Sequence, residues 1–298
     1  MAKEPLQIRD KTIFDSVVGK FFLKMVFVLL FKIRGWKTTK NNPNGAGITI
    51  AAPHTSNWDF IYALGSALIL DVKIYFSIKN SWCKKPIIGR FMLWLGAIPI
   101  DRSAGAGGQV AQIRQFVERH KERRVFFLFT PEGTRGVVDK WKTGFYHVAE
   151  ACKLPIFLSK VDYLNKQAGV FHSYQLTGDK EEDVQAIQAS YKRICGKFPK
   201  LQYPAYIGPL PELSDVEAAI LKAMYSFKGV ASKVDIAAKA RIAGLASVPS
   251  KALDFMVDKG ILERAGNSDC EKKEPMYRLT FAGKGCLLHL FPTLAPAN

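Results

Sequence analysis

The sequence predicts an α/β domain, a mixed sheet flanked by helices, followed by a small domain of winged helix-turn-helix type. Three observations carry that expectation. Short apolar runs of strand character alternate with segments of helical period between Gly47 and Ile207, which argues for layered sheet and helices. Gly208-Pro209-Leu210-Pro211 then reads as a linker. Beyond it, three short helical segments precede two strand-like runs separated by a polar loop and then a last helix, the order of a winged helix-turn-helix module. The chain thus divides into a basic amphipathic lead-in helix over residues 1–40, a main domain over 41–211 and a winged-helix-like domain over 212–298.

Taken in order, Val17–Arg34 has helical period, with Lys20, Lys24 and Lys32 recurring among aromatic and aliphatic residues. That pattern suits a helix lying in a membrane interface with its lysines reaching the headgroups; packing on the domain core is the alternative. Gly47–Ala52 is a buried-strand run that stops at Pro53, and Asp59–Leu70 reads as a helix. Lys73–Ile78 alternates as a strand, Pro86–Leu95 is helical, and Ala97–Ile100 is a strand. Ala104–Gly108 reads as a flexible turn before a helix over Gln109–Glu122. Val125–Phe129 is an apolar strand. Then come a helix near Phe145–Ala151, a strand near Pro155–Asp162, a helix near Glu181–Cys195 and a last strand near Tyr203–Ile207. In the smaller domain, Ser214 and Glu217 form a capping box that opens a helix to Ser226. Helices near Lys233–Ala240 and Pro249–Lys259 follow. Strands near Ile261–Arg264 and Met276–Thr280, and a helix from Phe281, close the chain.

Composition bounds the function classes. Of the 298 residues, 48% are hydrophobic and 23% charged, an ordinary globular balance. The net charge of +17 is uneven: residues 1–212 hold 31 Lys+Arg against 17 Asp+Glu, while residues 213–298 hold 12 against 9. The basic excess points to an anionic partner for the first part: nucleic acid, an anionic bilayer or a phosphorylated substrate. Five scattered cysteines with no C-x-x-C pair predict a reduced, cytosolic protein without a disulfide or a zinc site. No stretch of 18 apolar residues predicts a spanning helix. Lys32-Ile33-Arg34 directly after the apolar run argues against a secretory leader.

The chemistry is carried by three short blocks. Pro53-His54-Thr55-Ser56-Asn57-Trp58-Asp59 follows a strand and opens a helix. At that spacing the Asp59 carboxylate can curl back to one nitrogen of His54, fixing its tautomer and leaving the other nitrogen to accept a hydroxyl proton. The alternative is a plain helix start with Asp59 as a favourable first-turn acid. Arg102, in Gly96–Arg102, and Arg135, in Pro131-Glu132-Gly133-Thr134-Arg135, both stand just beyond strand ends, where ligands of α/β sheets gather. Two arginines there, with Gly133 and the Thr134 hydroxyl, can clamp a phosphate; a surface salt bridge is the alternative for each alone. His147 and His172 have no acid at suggestive spacing.

The ordered set His54–Asp59, Gly96–Arg102 and Pro131–Arg135, with the apolar Leu154–Leu158 around Pro155, resembles the glycerolipid acyltransferases, above all the lysophosphatidic acid acyltransferases. The resemblance spans about Lys32 to Pro211 and implies a glycerol-3-phosphate acyltransferase-like fold. It also implies roles: His54 as general base, Asp59 as its orienting partner, and Arg102 on the polar head of the acceptor. Glu132, Gly133, Thr134 and Arg135 would form the acceptor phosphate site, and Pro155 would border the acyl channel. The implied reaction moves a fatty acyl group from acyl-CoA or acyl carrier protein (acyl-ACP) to a lysophospholipid, 1-acyl-glycerol-3-phosphate first among the acceptors. It needs no metal or bound cofactor. Where the family often has Ser after the last arginine, this chain has Gly136.

The partners expected are an anionic membrane surface, the lysophospholipid acceptor and the thioester donor. The location expected is cytoplasmic, peripheral to the inner face of the plasma membrane. Met276–Thr280 followed by Gly283 looks like the wing of winged-helix transcriptional regulators, so nucleic acid is a further partner class. The small charge balance of that domain and Asp254 and Asp258 beside Lys251 and Lys259 favour a docking or homodimerisation module instead. The competing functions are a DNA-binding regulator that senses acyl ligands and an acyl thioesterase, with water in place of the lipid hydroxyl.

Overall fold

The computed structural model describes residues 9–100, 105–120, 124–209, 211–227, 230–242, 248–267, 275–280, 283, 287 and 290–291. Two compact units emerge from its contacts: Met1–Lys180 with Ile194–Tyr206, and Glu181–Arg193 with Ile207–Asn298.

The first unit is built on a seven-stranded sheet. Its strands are β1 (Lys37–Thr38), β2 (Gly47–Ala51), β3 (Lys73–Lys79), β4 (Ala97–Ile100), β5 (Val125–Phe129), β6 (Ile156–Asp162) and β7 (Gln167–Tyr174). Their spatial order is β1-β7-β6-β2-β5-β3-β4. Every pairing is parallel except β6 with β7, which form an antiparallel hairpin. The mixed, mostly parallel sheet flanked by helices is thus the architecture the alternation predicts. Its central strands read as continuous apolar runs because both faces are covered, as in Val125-Phe126-Phe127 with side chains at most 2% exposed.

Helices α1 (Val17–Arg34), α2 (Asn57–Ile69), α3 (Asn80–Cys83), α4 (Pro86–Trp94), α5 (Gly105–His120) and α6 (Gly144–Cys152) complete this unit. Ser16 caps α1 by accepting from the Gly19 N–H at 3.2 Å, and Gly35, at φ 69°, ends it in the left-handed conformation. Phe27 and Phe31 pack α1 on α2. The contact needs Gly65, because a Cβ there would lie 2.5 Å from Phe27 Cδ1 and 2.9 Å from Phe31 Cε2. Leu23 and Leu30 also pack on the core, while the opposite face of α1 is uncovered: Val17, Val18, Phe21, Phe22, Met25, Val26, Leu29 and Ile33 are all exposed. No described helix is long and apolar enough to cross a membrane.

Two local expectations are corrected, and one strand was not foreseen. The Gly-rich stretch after β4 is not a flexible turn up to Gly108, since α5 already begins at Gly105. Its anchor is the buried stripe Ile113, Phe116 and Val117, and glycines in the first turn cost little because those N–H groups lack intrahelical partners anyway. No strand forms over Tyr203–Ile207. The Tyr203 N–H is given to Glu132 Oε1 at 3.2 Å and its carbonyl accepts from Trp141 Nε1 at 2.8 Å, so these backbone groups serve loops rather than a ladder. The hairpin strand β7 went unpredicted. Its turn is held by Asp162, which accepts from the N–H groups of Leu164 and Asn165 at 3.2 and 3.3 Å, an Asx pattern readable in Asp162–Lys166.

The second unit holds α7 (Lys180–Tyr191), which clusters there from Glu181, α8 (Asp215–Ser226), α9 (Lys233–Ile242) and α10 (Ser250–Asp258). It also holds a three-stranded sheet in the order β8 (Val230–Ser232), β10 (Pro275–Leu279), β9 (Leu262–Asn267). The capping box at α8 is present: Ser214 N–H donates to Glu217 Oε2 at 2.7 Å, and Glu217 N–H donates to Ser214 Oγ at 3.5 Å. Strands β9 and β10 pair antiparallel, as the expected ribbon does; β8 was not foreseen. The core here includes Ile220, Leu221, Met224, Ile236, Leu253, Met256 and Ile261, each fully buried. Most of the closing helix expected from Phe281 lies outside the described residues.

Candidate active site

Because β2 and β5 are parallel neighbours with Ile50 opposite Phe129, the chain leaves both strands at the same end of the sheet. That places the loop after β2, Ala52–Ser56, beside the loop after β5, Thr130–Gly136. The two loops are joined by Glu132, whose Oε2 accepts the His54 backbone N–H at 2.5 Å. Glu132 is 3% exposed. Burial pushes its carboxyl up to about 7, against the opposing pull of the N–H groups of Tyr203 and His54.

Asp59 is the third residue of α2 and is buried at 4% exposure. Its Oδ2 accepts the backbone N–H groups of Thr55 at 2.7 Å and Ser56 at 2.8 Å, and Oδ2 also lies 3.3 Å from Nδ1 of His54. Its Oδ1 accepts the hydroxyl of Tyr163 at 2.7 Å. The helix-start role and the histidine-partner role weighed for Asp59 therefore coexist in one carboxylate. With Nδ1 facing Asp59, Nε2 of His54 is the nitrogen left for chemistry, on a side chain 21% exposed. This pair can take a proton from a bound hydroxyl and return it.

Arg135 donates from Nη1 to the Asn57 side-chain oxygen, which brings it to the first turn of α2, three residues from His54. Gly133 adopts φ 68° and accommodates Lys142: a Cβ at Gly133 would lie 2.9 Å from Lys142 Nζ. The ammonium of Lys142 thus lies against the Pro131–Arg135 loop. The Thr134 hydroxyl accepts from the Gly136 N–H at 3.4 Å. Arg102 lies outside the described residues. Pro155 sits apart from this cluster: its carbonyl accepts from the Ile48 N–H at 3.0 Å, at the start of β2. That is about 13 Å of strand from Ala52.

The other histidines are elsewhere. His147 is exposed on α6. His172 is 3% exposed in β7, and burial pushes its imidazole down to about 4, so it stays neutral. Two residues that sequence reasoning missed complete the site. Tyr163 clamps Asp59 from the end of β6. Tyr203 clamps Glu132, in a segment fixed by Gln202, whose Oε1 accepts the Gly196 N–H at 2.9 Å and whose Nε2 donates to the Ile194 carbonyl at 3.0 Å. No spacing rule ties such distant residues to the site.

An imidazole facing a buried carboxylate at the strand ends of an α/β sheet is an arrangement that can serve acid–base group transfer. Residues 36–157 match the model of the Acyltransferase family. Residues 36–157 thus form an acyltransferase-family domain, as the glycerolipid acyltransferase resemblance of the motifs implies, and that domain supports acyltransferase activity. No curated protein matches the chain.

Proposed function

We propose that this protein is an O-acyltransferase that moves a fatty acyl group from acyl-CoA or acyl-ACP to the hydroxyl of a lysophospholipid, 1-acyl-glycerol-3-phosphate, in phospholipid biosynthesis at a membrane surface. The observation that carries the reading is the joined pair of strand-end loops, with the His54–Asp59 contact on one and Arg135 docked at Asn57 from the other. In this reading Nε2 of His54 takes the acceptor proton as the hydroxyl oxygen attacks the thioester carbonyl. A tetrahedral oxyanion forms and collapses, and the thiolate leaves with the proton returned from the imidazolium. Glu132 holds the His54 backbone in place. Arg135, with Arg102, Gly133 and Thr134, meets the acceptor phosphate, and Lys142 adds a further positive charge. Pro155 borders the acyl channel.

The uncovered face of α1 supports the membrane part. So do Ile87, Ile88 and Phe91, exposed on α4; the Trp94 ring at the end of that helix packs 3.1 Å from a Cβ built on Gly19 of α1. Contiguous exposed apolar surface of this kind marks an interaction site, and Lys24 and Lys32 on the same helix suit anionic headgroups. For the second unit we propose a winged-helix-like docking module. Its Asp254 is already paired with Arg264 at 2.7 Å, and acids on the helix offered to DNA disfavour nucleic acid.

The test is an acceptor panel. Purified protein is given acyl thioester with lysophosphatidic acid, with other lysophospholipids and with none, and the products are read by mass spectrometry. Acylated lysophosphatidic acid above all other products is expected. Thioester hydrolysis independent of any acceptor would replace this reading with a thioesterase.

A further inference from the structure

Tyr163, the partner of Asp59, also lines a cavity of about 480 Å³ that the proposed reaction does not use. Three cations from three separate segments line it: Arg34 at the end of α1, Lys166 in the β6–β7 turn and Lys197 in the segment after Ile194. Among the described residues, no carboxylate lies within 4.0 Å of any of the three. The walls are aromatic. Trp36 stacks on Tyr62 with centroids 3.7 Å apart, and the Trp58 ring lies 5.7 Å from the Arg34 guanidinium and 5.4 Å from Lys197 Nζ. The Tyr163 hydroxyl, which also borders the cavity, is committed to Asp59.

All three are exposed; like charges lining one cavity still repel one another across water, to a degree that salt screens. An anion of more than one charge relieves it. Flat, rigid aromatic walls beside the charges accommodate a small organic stem better than a bare ion. From this geometry we infer that the cavity lined by Arg34, Lys166 and Lys197 over Trp36 and Trp58 is a second anion site, one that takes a phosphate ester. The ester belongs to a phospholipid headgroup or to a free metabolite. Its lipid source rests on the membrane-surface reading above, because Arg34 ends the helix whose apolar face is uncovered. The phosphate chemistry of the cavity does not rest on it.

The probe for the cavity is glycerol 3-phosphate, followed by tryptophan fluorescence, since Trp36 and Trp58 both line it. The full chain is compared with Lys166→Gln/Lys197→Gln, with Lys166→Arg/Lys197→Arg, with Arg135→Ala and with Lys40→Ala/Lys140→Ala, exposed lysines outside the cavity. Saturable binding is expected in the parent. It should weaken at least tenfold in the Gln pair, persist in the Arg pair and in the control pair, and persist in Arg135→Ala, which separates it from the acceptor site. No saturable binding in the parent, or equal binding in the Gln pair, would overturn the inference. A second arm measures co-sedimentation with vesicles of phosphatidylcholine alone and with phosphatidic acid added. Loss of the phosphatidic acid preference in the Gln pair identifies the lipid headgroup as the ligand, and an unchanged preference identifies the free ester. Failure of the parent to bind any vesicle removes the membrane reading and leaves the glycerol 3-phosphate result standing.

Discussion

The loops after β2 and β5 start from neighbouring, parallel strand ends, yet they are built to opposite specifications. In the first, nearly every polar group is fixed: the N–H groups of Thr55 and Ser56 and the Tyr163 hydroxyl all converge on Asp59, and the His54 N–H is held by Glu132. In the second, Thr134, Arg135 and Gly136 are exposed, and among the described residues the Arg135 side chain is tied through Asn57. The difference fits the division of labour proposed for them. A base must be held within a fraction of an ångström of its proton, whereas groups that receive a phosphate must stay open until it arrives.

Substitutions can break that contrast. The largest effect is expected from His54→Ala, which should lower the turnover of acyl transfer about 10²–10⁴-fold with the fold kept, because Asp59 retains its bonds to the Thr55 and Ser56 N–H groups and the Tyr163 hydroxyl. A folded variant with parental turnover would remove His54 from the chemistry. Arg135→Ala should instead raise the acceptor KM and lower kcat/KM about 10–100-fold, the scale of a lost charge-assisted contact to phosphate. An unchanged acceptor KM would detach the second loop from the substrate. Smaller again is Tyr163→Phe, which removes one of the bonds to Asp59. We expect about a tenfold loss of turnover and a shifted pH–rate profile, while a purely structural role for the hydroxyl would leave the profile in place.

The last prediction concerns stability. The Glu132 carboxyl is raised in the folded protein, to about 7 from 4.5. Its contribution is therefore fully present below pH 4.5 and is lost as pH rises through 7. At full amplitude that loss is on the order of 3 kcal/mol. Thermal melts from pH 4 to 8 should show the parent losing stability relative to Glu132→Gln across this window; parallel curves would mean that burial does not set the titration of this group.

The contrast also marks what the sequence could and could not disclose. His54, Asp59, Glu132 and Arg135 were legible because each sits in a short block at a strand-to-helix junction, where local spacing dictates geometry. The strands β2 to β6 were legible as apolar runs, and α1 and the Ser214 cap as periodicity and cap chemistry. Tyr163, Tyr203 and Lys142 were not, because their roles depend on tertiary contacts across 9 to 104 residues of chain. The segment at Tyr203–Ile207 has strand composition, but its backbone groups are claimed by Glu132 and Trp141, and composition carries no record of that competition. The hairpin strand β7 carried a usable signal in the Asp162 turn.

Gly65 has a mechanical consequence. With no side chain at that position, the rings of Phe27 and Phe31 press onto the backbone of the helix that carries Asp59, leaving no slack between the two rods. A tilt imposed on α1 is therefore passed to α2, so that, on the membrane-surface reading proposed above, anchorage and the pose of the carboxylate are geared together at a single notch.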